Sequence, residues 1–154
     1  MIKGVKIIPI ETYEDERGLF AEMFRKDNLL SDVLSQIQMA TFSWTKPGVV
    51  RGPHEHRYQT DSFFFIGPSD FRLYLWDNRK NSPTFRNKMI EDVGRSNMTA
   101  VIVPQGVVHA YKNIGDTEGL SIDFPDKLYR GIDKKEKPDE IKHETDKNSP
   151  FIID

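Results

Sequence analysis

Four histidines carry most of the chemistry open to this sequence: His54, His56, His109 and His143. Two of them sit in Gly48-Val49-Val50-Arg51-Gly52-Pro53-His54-Glu55-His56. On a β-strand, side chains two residues apart leave the same face, so His54 and His56 are placed to enter one cavity together. Asp61 follows His56 at a spacing of the wrong parity for one straight strand. A bend at Tyr58-Gln59-Thr60 returns it to the same cavity on the next strand. His109 follows the turn Pro104-Gln105-Gly106, which launches a strand with Val107, His109, Tyr111 and Asn113 on one face. Such a cluster suits two chemistries. An imidazole with an ordinary pKa of ~6.5 is a general base or acid near neutrality. Imidazoles with a carboxylate also ligate Zn, Fe, Ni or Mn, leaving positions open for water or substrate. Spacing alone does not choose between them.

These side chains need elements to hold them. Val5 to Ile10 is apolar and β-branched, as a strand is, and Asp15-Glu16-Arg17-Gly18 reads as a turn. Leu19 to Phe24 alternates with period 2, a second strand. One stretch reads as a helix: Asp27 as N-cap, then Leu29, Leu30, Val33, Leu34 and Ile37 at three- and four-residue spacings. From Met39 onward strands and turns alternate, with strands expected at Thr41–Trp44, Asp61–Ile66, Phe71–Trp76, Thr99–Val103, Val107–Asn113 and Gly119–Phe124. Short strands closely spaced between Gly/Pro turns argue an all-β barrel or sandwich with one short helix. The end of the chain differs. Arg130 to Lys147 holds twelve charged residues of both signs. It reads as solvated and loosely held, without a function, although Pro150-Phe151-Ile152-Ile153 is apolar enough to dock on a small patch. The expected division is a domain over 1–130 and a charged extension over 131–154.

Composition narrows the function classes. At 154 residues the chain is the size of one domain. A net charge of −2 provides no basic field for a nucleic-acid backbone. The longest apolar runs, such as Phe63-Phe64-Phe65-Ile66, are far shorter than the ~20 residues of a membrane-spanning helix. Met1-Ile2-Lys3-Gly4-Val5-Lys6 shows no secretory signal. With no cysteine there are no disulfides and no thiolate chemistry, which fits a reducing cytoplasm.

Taken together, the histidine segments resemble the cupin superfamily. Its first motif, G-x5-H-x-H-x3–4-E-x6-G, is met by Gly48, His54, His56, Asp61 and Gly67, with Asp for Glu and one residue fewer before the last glycine. Its second, G-x5-P-x-G-x2-H-x3-N, is met by Pro104, Gly106, His109 and Asn113, while Met98 stands for the leading glycine. A narrower resemblance is to the nucleotide-sugar epimerase branch, typified by dTDP-4-dehydrorhamnose 3,5-epimerase. That family carries D-x-R-G-x-F-x-E, R-G-x-H and P-x-G-x-x-H. They are matched by Asp15, Arg17, Gly18, Phe20 and Glu22; by Arg51, Gly52 and His54; and by Pro104, Gly106 and His109.

The resemblance implies a cupin jelly-roll homodimer, a metal-free site without cofactor, and a nucleoside-diphospho-4-keto-6-deoxy sugar as substrate. It makes His54 the base that removes a proton next to the ketone, at C3, C5 or both. His109 and Tyr129 would line the pocket. Arg17, Phe20, Glu22 and Arg51 would hold the nucleotide and its diphosphate, the first three from a strand that completes the partner's pocket. An arginine fork suits phosphate oxygens and an aromatic ring suits a base. Three positions depart from the family. Ser121 stands where the family has its proton-donating tyrosine, the family lysine falls near Asp61-Ser62, and the C-terminal carboxylate partner of His54 has no clear match, Asp146 being a weak candidate. In addition, His56 replaces a glutamine and restores a metal-type set with His54, Asp61 and His109. A metal-dependent cupin enzyme and a non-catalytic sugar-nucleotide binder are therefore the alternatives.

Overall fold

The computed structural model describes residues 1–25, 27 and 36–154. The helix expected after Asp27 falls almost wholly outside them. Among the described residues the strands are β1 (Lys6–Pro9), β2 (Thr12–Asp15), β3 (Gly18–Ala21), β4 (Thr41–Thr45), β5 (Val50–His56) and β6 (Asp61–Gly67). They continue with β7 (Asp70–Asp77), β8 (Lys88–Gly94), β9 (Thr99–Val103), β10 (Val107–Asn113), β11 (Gly119–Asp123) and β12 (Glu140–Lys142). They form two five-stranded sheets, β1-β9-β6-β11-β4 and β12-β5-β10-β7-β8, and a separate β2-β3 hairpin. Each pairing is antiparallel. This is the all-β jelly roll that the motifs imply.

Strand alternation builds the interior. Phe63 and Phe65 of β6 and Val101 and Val103 of β9 meet Phe71, Leu73 and Leu75 of β7 and Tyr111 of β10 across the space between the sheets. Burying each such side chain contributes about 1.5–3 kcal/mol, so this layer holds the sheets together. Phe64 faces the other way and packs edge-on against Phe124. Tyr74 and Trp76 also face outward, their rings stacked at 5.9 Å. Covered on both faces, Phe63–Ile66 of β6 and Leu73–Trp76 of β7 read as continuous apolar runs instead of alternating ones.

Two segments differ from the sequence reading. No strand is expected between Pro83 and Thr99, yet β8 pairs along β7 from Asp70↔Gly94 to Trp76↔Lys88. It is an edge strand, and its Lys88, Glu91 and Asp92 mask it, because edges tolerate charge. The charged run after residue 130 is not simply solvated. Glu140–Lys142 adds β12 to the edge of β5, with Glu140 opposite His56 and Lys142 opposite His54. The expected docking of the closing apolar residues does occur. Phe151 and Ile153 pack on Tyr74, Trp76 and Val108. His143 fixes the approach, its Nε2 2.9 Å from Glu55 Oε1 and its ring 4.7 Å from Phe151.

Candidate active site

A cavity of about 500 Å³ opens between the two sheets, lined by β5, β6, β11 and β4 and by the C-terminal strand β12. β5 supplies most of its chemistry because it is irregular. Its register with β10 runs His54↔His109 and then Arg51↔Tyr111, so three steps along β5 oppose two along β10. A bulge of this kind re-aims side chains. Arg51 and His54, of opposite parity on a straight strand, therefore both line the cavity. The Arg51 guanidinium is braced by Thr45 Oγ1 at 2.8 Å and the Trp44 carbonyl at 2.9 Å. The bend at residues 57–60 carries Asp61 back into the same cavity, as parity requires.

The three histidines of β5 and β10 meet. The ring centroids of His54 and His109 are 4.3 Å apart, and His56 lies 5.7 Å from His54. His109 is fully buried beneath the cavity, and its Nδ1–H donates to the Val107 carbonyl at 3.2 Å. Its Nε2 accepts no hydrogen bond, and Asp61 Oδ2 lies 3.4 Å away. Burial, with His54 and His56 adding to it, holds the His109 pKa well below the imidazole range. Burial also lowers that of His54, partly opposed by Glu140 and Glu144. His54 is thus neutral near pH 7, the form a base requires. Its Nδ1 lies 3.9 Å from Glu140 Oε1. Across the cavity, burial raises Asp61 and raises Asp123 further, Asp123 also through the charge of Asp61.

Of the residues expected at the site, His54, His109 and Arg51 come together with His56 and Asp61. Arg17, Phe20 and Glu22 do not join them. They lie on or beside the β2-β3 hairpin, where Arg17 bonds to Asp15, Glu22 faces Arg25, and Phe20 is 62% exposed beside Tyr13. Tyr129 is also apart from the cavity, half exposed, with its backbone N–H directed at Met39 Sδ. A short 3-10 turn, Ile132–Lys134, follows it. Asp146 is exposed in a turn and does not approach His54. Glu140 stands there instead, with Lys142 and Glu144 beside it. The signal for these three was present: Glu140, Lys142 and Glu144 alternate with period 2, the spacing of one strand face. A net-charge reading of the tail hides it. Tyr111 and Asp123 line the cavity as well, and the sequence reading assigned neither a role.

The chain as a whole is similar to known proteins. A family model described as dTDP-4-dehydrorhamnose 3,5-epimerase matches residues 1–135. The chain belongs to that family. The spore coat polysaccharide biosynthesis protein SpsL of Bacillus subtilis (strain 168) is 32% identical to this family member over 91% of the chain and 87% of its own length. The probable low-salt glycan biosynthesis epimerase Agl13 of Haloferax volcanii is 30% identical over 90% of the chain and 85% of its own. The crystal structure of a dTDP sugar isomerase from Desulfovibrio desulfuricans G20 superposes with a TM-score of 0.84 at 23% identity, covering 98% of this chain and 91% of that one. That likeness establishes the fold.

Proposed function

We propose that the chain epimerises a nucleotide-activated 4-keto-6-deoxy sugar, at C3, C5 or both, by removing the proton next to the ketone. The observation that supports this is a neutral, half-buried His54 in the cavity with a carboxylate, Glu140, 3.9 Å behind its Nδ1. Glu140 acts through its charge, stabilising the imidazolium formed when the other nitrogen takes the proton. The electron pair left behind forms an enolate on the C4 oxygen. Lys142, 3.6 Å from Glu140 Oε2 and lining the cavity, offers that charge an ammonium in place of the family lysine. Arg51 serves the diphosphate. His109, held neutral below His54, shapes the pocket floor.

Arg17 and Phe20 stand on, and Glu22 beside, a hairpin whose strands, among the described residues, pair only with each other. Their place outside the lining of this chain's own cavity supports a homodimer in which they serve the partner's site. The outer face of β4 agrees, since Phe42 and Trp44 are 68% and 50% exposed on an apolar groove with Leu120 and Ile122. Proton exchange tests the reading. In deuterium oxide with dTDP-4-keto-6-deoxyglucose, the C3 or C5 proton signal should fall faster than in the enzyme-free sugar. His54→Asn should lose that exchange while dTDP affinity is kept, and exchange at the wild-type rate in this variant would remove His54 from the base role.

One observation favours a second reading. His54, His56 and His109 each offer a nitrogen within 4.8 Å of the others, a spacing that fits one divalent ion, and His109 Nε2 is unpartnered. Elemental analysis of protein purified without chelator or nickel resin separates the two. Close to one metal per chain, lost together in His56→Ala, would support the metal enzyme.

A further inference from the structure

Inversion of a carbon needs a second group. A base on one face of the sugar plane cannot also return the proton to the other, so an acid must stand on the opposite wall. His54 belongs to the β5 sheet, and the facing wall is β11 with Ser121 and Asp123. Tyr111 starts on β10, beside the histidines, and spans the interior. Its hydroxyl ends 2.9 Å from Ser121 Oγ on β11. Its ring is held edge-on by Phe63, Phe65 and Phe71, with centroids at 6.0, 5.3 and 5.5 Å. Phenylalanine would fill that aromatic space but strand the buried Ser121 Oγ, so the oxygen ties β10 to β11 as well as standing at the cavity. The cavity reaches this residue. The carboxyl groups nearby are engaged: Gln59 and two histidines surround Asp61, and Asp123 Oδ1 accepts the Ser62 N–H at 3.0 Å.

We infer that Tyr111 is the proton donor of the epimerisation, a catalytic phenol delivered from β10 to the wall where Ser121 stands. The inference rests on the proposed epimerase reading. His54 removes the proton and the C–H bond becomes the enolate. The Tyr111 O–H then breaks as a new C–H bond forms on the opposite face. Solvent returns a proton to the tyrosinate and takes one from the imidazolium, so the net change is inversion alone. Burial keeps the phenol above its usual pKa, hence protonated through the working range.

The test separates abstraction from inversion. Wild-type enzyme, Tyr111→Phe, Ser121→Ala and Asp123→Asn are each incubated with dTDP-4-keto-6-deoxyglucose in deuterium oxide. NMR then follows deuterium entry into the starting sugar and formation of the inverted sugar. Tyr111→Phe should keep His54-dependent exchange within about tenfold while inversion falls ~10²–10⁴-fold, the usual contribution of a positioned acid. Its dTDP affinity, measured alongside, should match wild type, and its melting temperature should fall by only the few degrees that losing one buried hydrogen bond costs. Inversion by Tyr111→Phe within tenfold of wild type would overturn the assignment. So would loss of inversion confined to Ser121→Ala or to Asp123→Asn, which would pass the role to that residue. A wild-type enzyme that exchanges no proton fails at the base, and the epimerase reading falls with the donor.

Discussion

The glycine of Arg51-Gly52-Pro53-His54 should be irreplaceable for a reason that can be separated into two parts. Gly48 and Gly52 both have positive φ, +72° and +84°. An L-residue in that region costs about 1–2 kcal/mol through the Cβ clash with its own backbone. A methyl group at Gly48 would meet nothing within 4 Å, so Gly48→Ala should lose that amount only. At Gly52 a Cβ would lie 2.6 Å from the His109 carbonyl oxygen and 3.2 Å from Ala110 Cα. β5 must then retreat from β10 by at least ~0.4 Å to reach an allowed contact, and overpacking of this kind costs ~1–3 kcal/mol more. Gly52→Ala should therefore lose about 2–5 kcal/mol, a large part of the ~5–15 kcal/mol that holds a domain folded. Urea unfolding of the wild type and both variants, with slopes compared, measures this. Equal losses in the two variants would refute the argument that strand approach, not backbone handedness, demands this glycine.

Other outcomes follow from the electrostatics and the tail. Because Glu140 raises the His54 pKa, Glu140→Gln should move the acid limb of kcat/KM to lower pH while reducing kcat. An acid limb that moves upward would contradict the pairing. Asp77 is buried, which alone would raise its pKa, but bonds from Arg79, Ser82 and Thr84 outweigh burial and hold it below the carboxylate range. Its stabilisation is complete above the unfolded pKa of ~3.9 and is lost as pH falls through the native value. Asp77→Asn should cost about 3 kcal/mol at pH 7, as breaking a buried pair does, and should flatten the acid dependence of stability in urea titrations. Phe151→Ala removes the ring that lies 5.6 Å from Trp76, and should cost about 1–3 kcal/mol. It should also raise Trp76 fluorescence quenching by acrylamide. Unchanged quenching would mean that the tail does not cover that ring.

The local pattern determined a great deal. Period-2 alternation and Gly/Pro turns are properties of a short segment, so the strands around His54, Asp61 and His109 and the all-β class were legible from residues alone. The pairing of His54 with His56, and the need for a bend before Asp61, followed from strand parity. What crosses between segments was not legible. The bulge that turns Arg51 and His54 to one side depends on the register of β5 with β10. β8 and β12 are edge strands, charged because edges face water, and charge in sequence reads as loop. Glu140 and Lys142 therefore looked like part of a wet tail until pairing with β5 set them beside His54. Tyr129 and Asp146 matched a family pattern by order along the chain, but order does not fix distance across the fold, and neither lines the cavity. Tyr111 shows the reverse: ten residues from Ser121 in sequence, it reaches that side chain only because two sheets pack face to face. Secondary structure is decided by neighbours along the chain, whereas a catalytic site is decided by neighbours across the barrel.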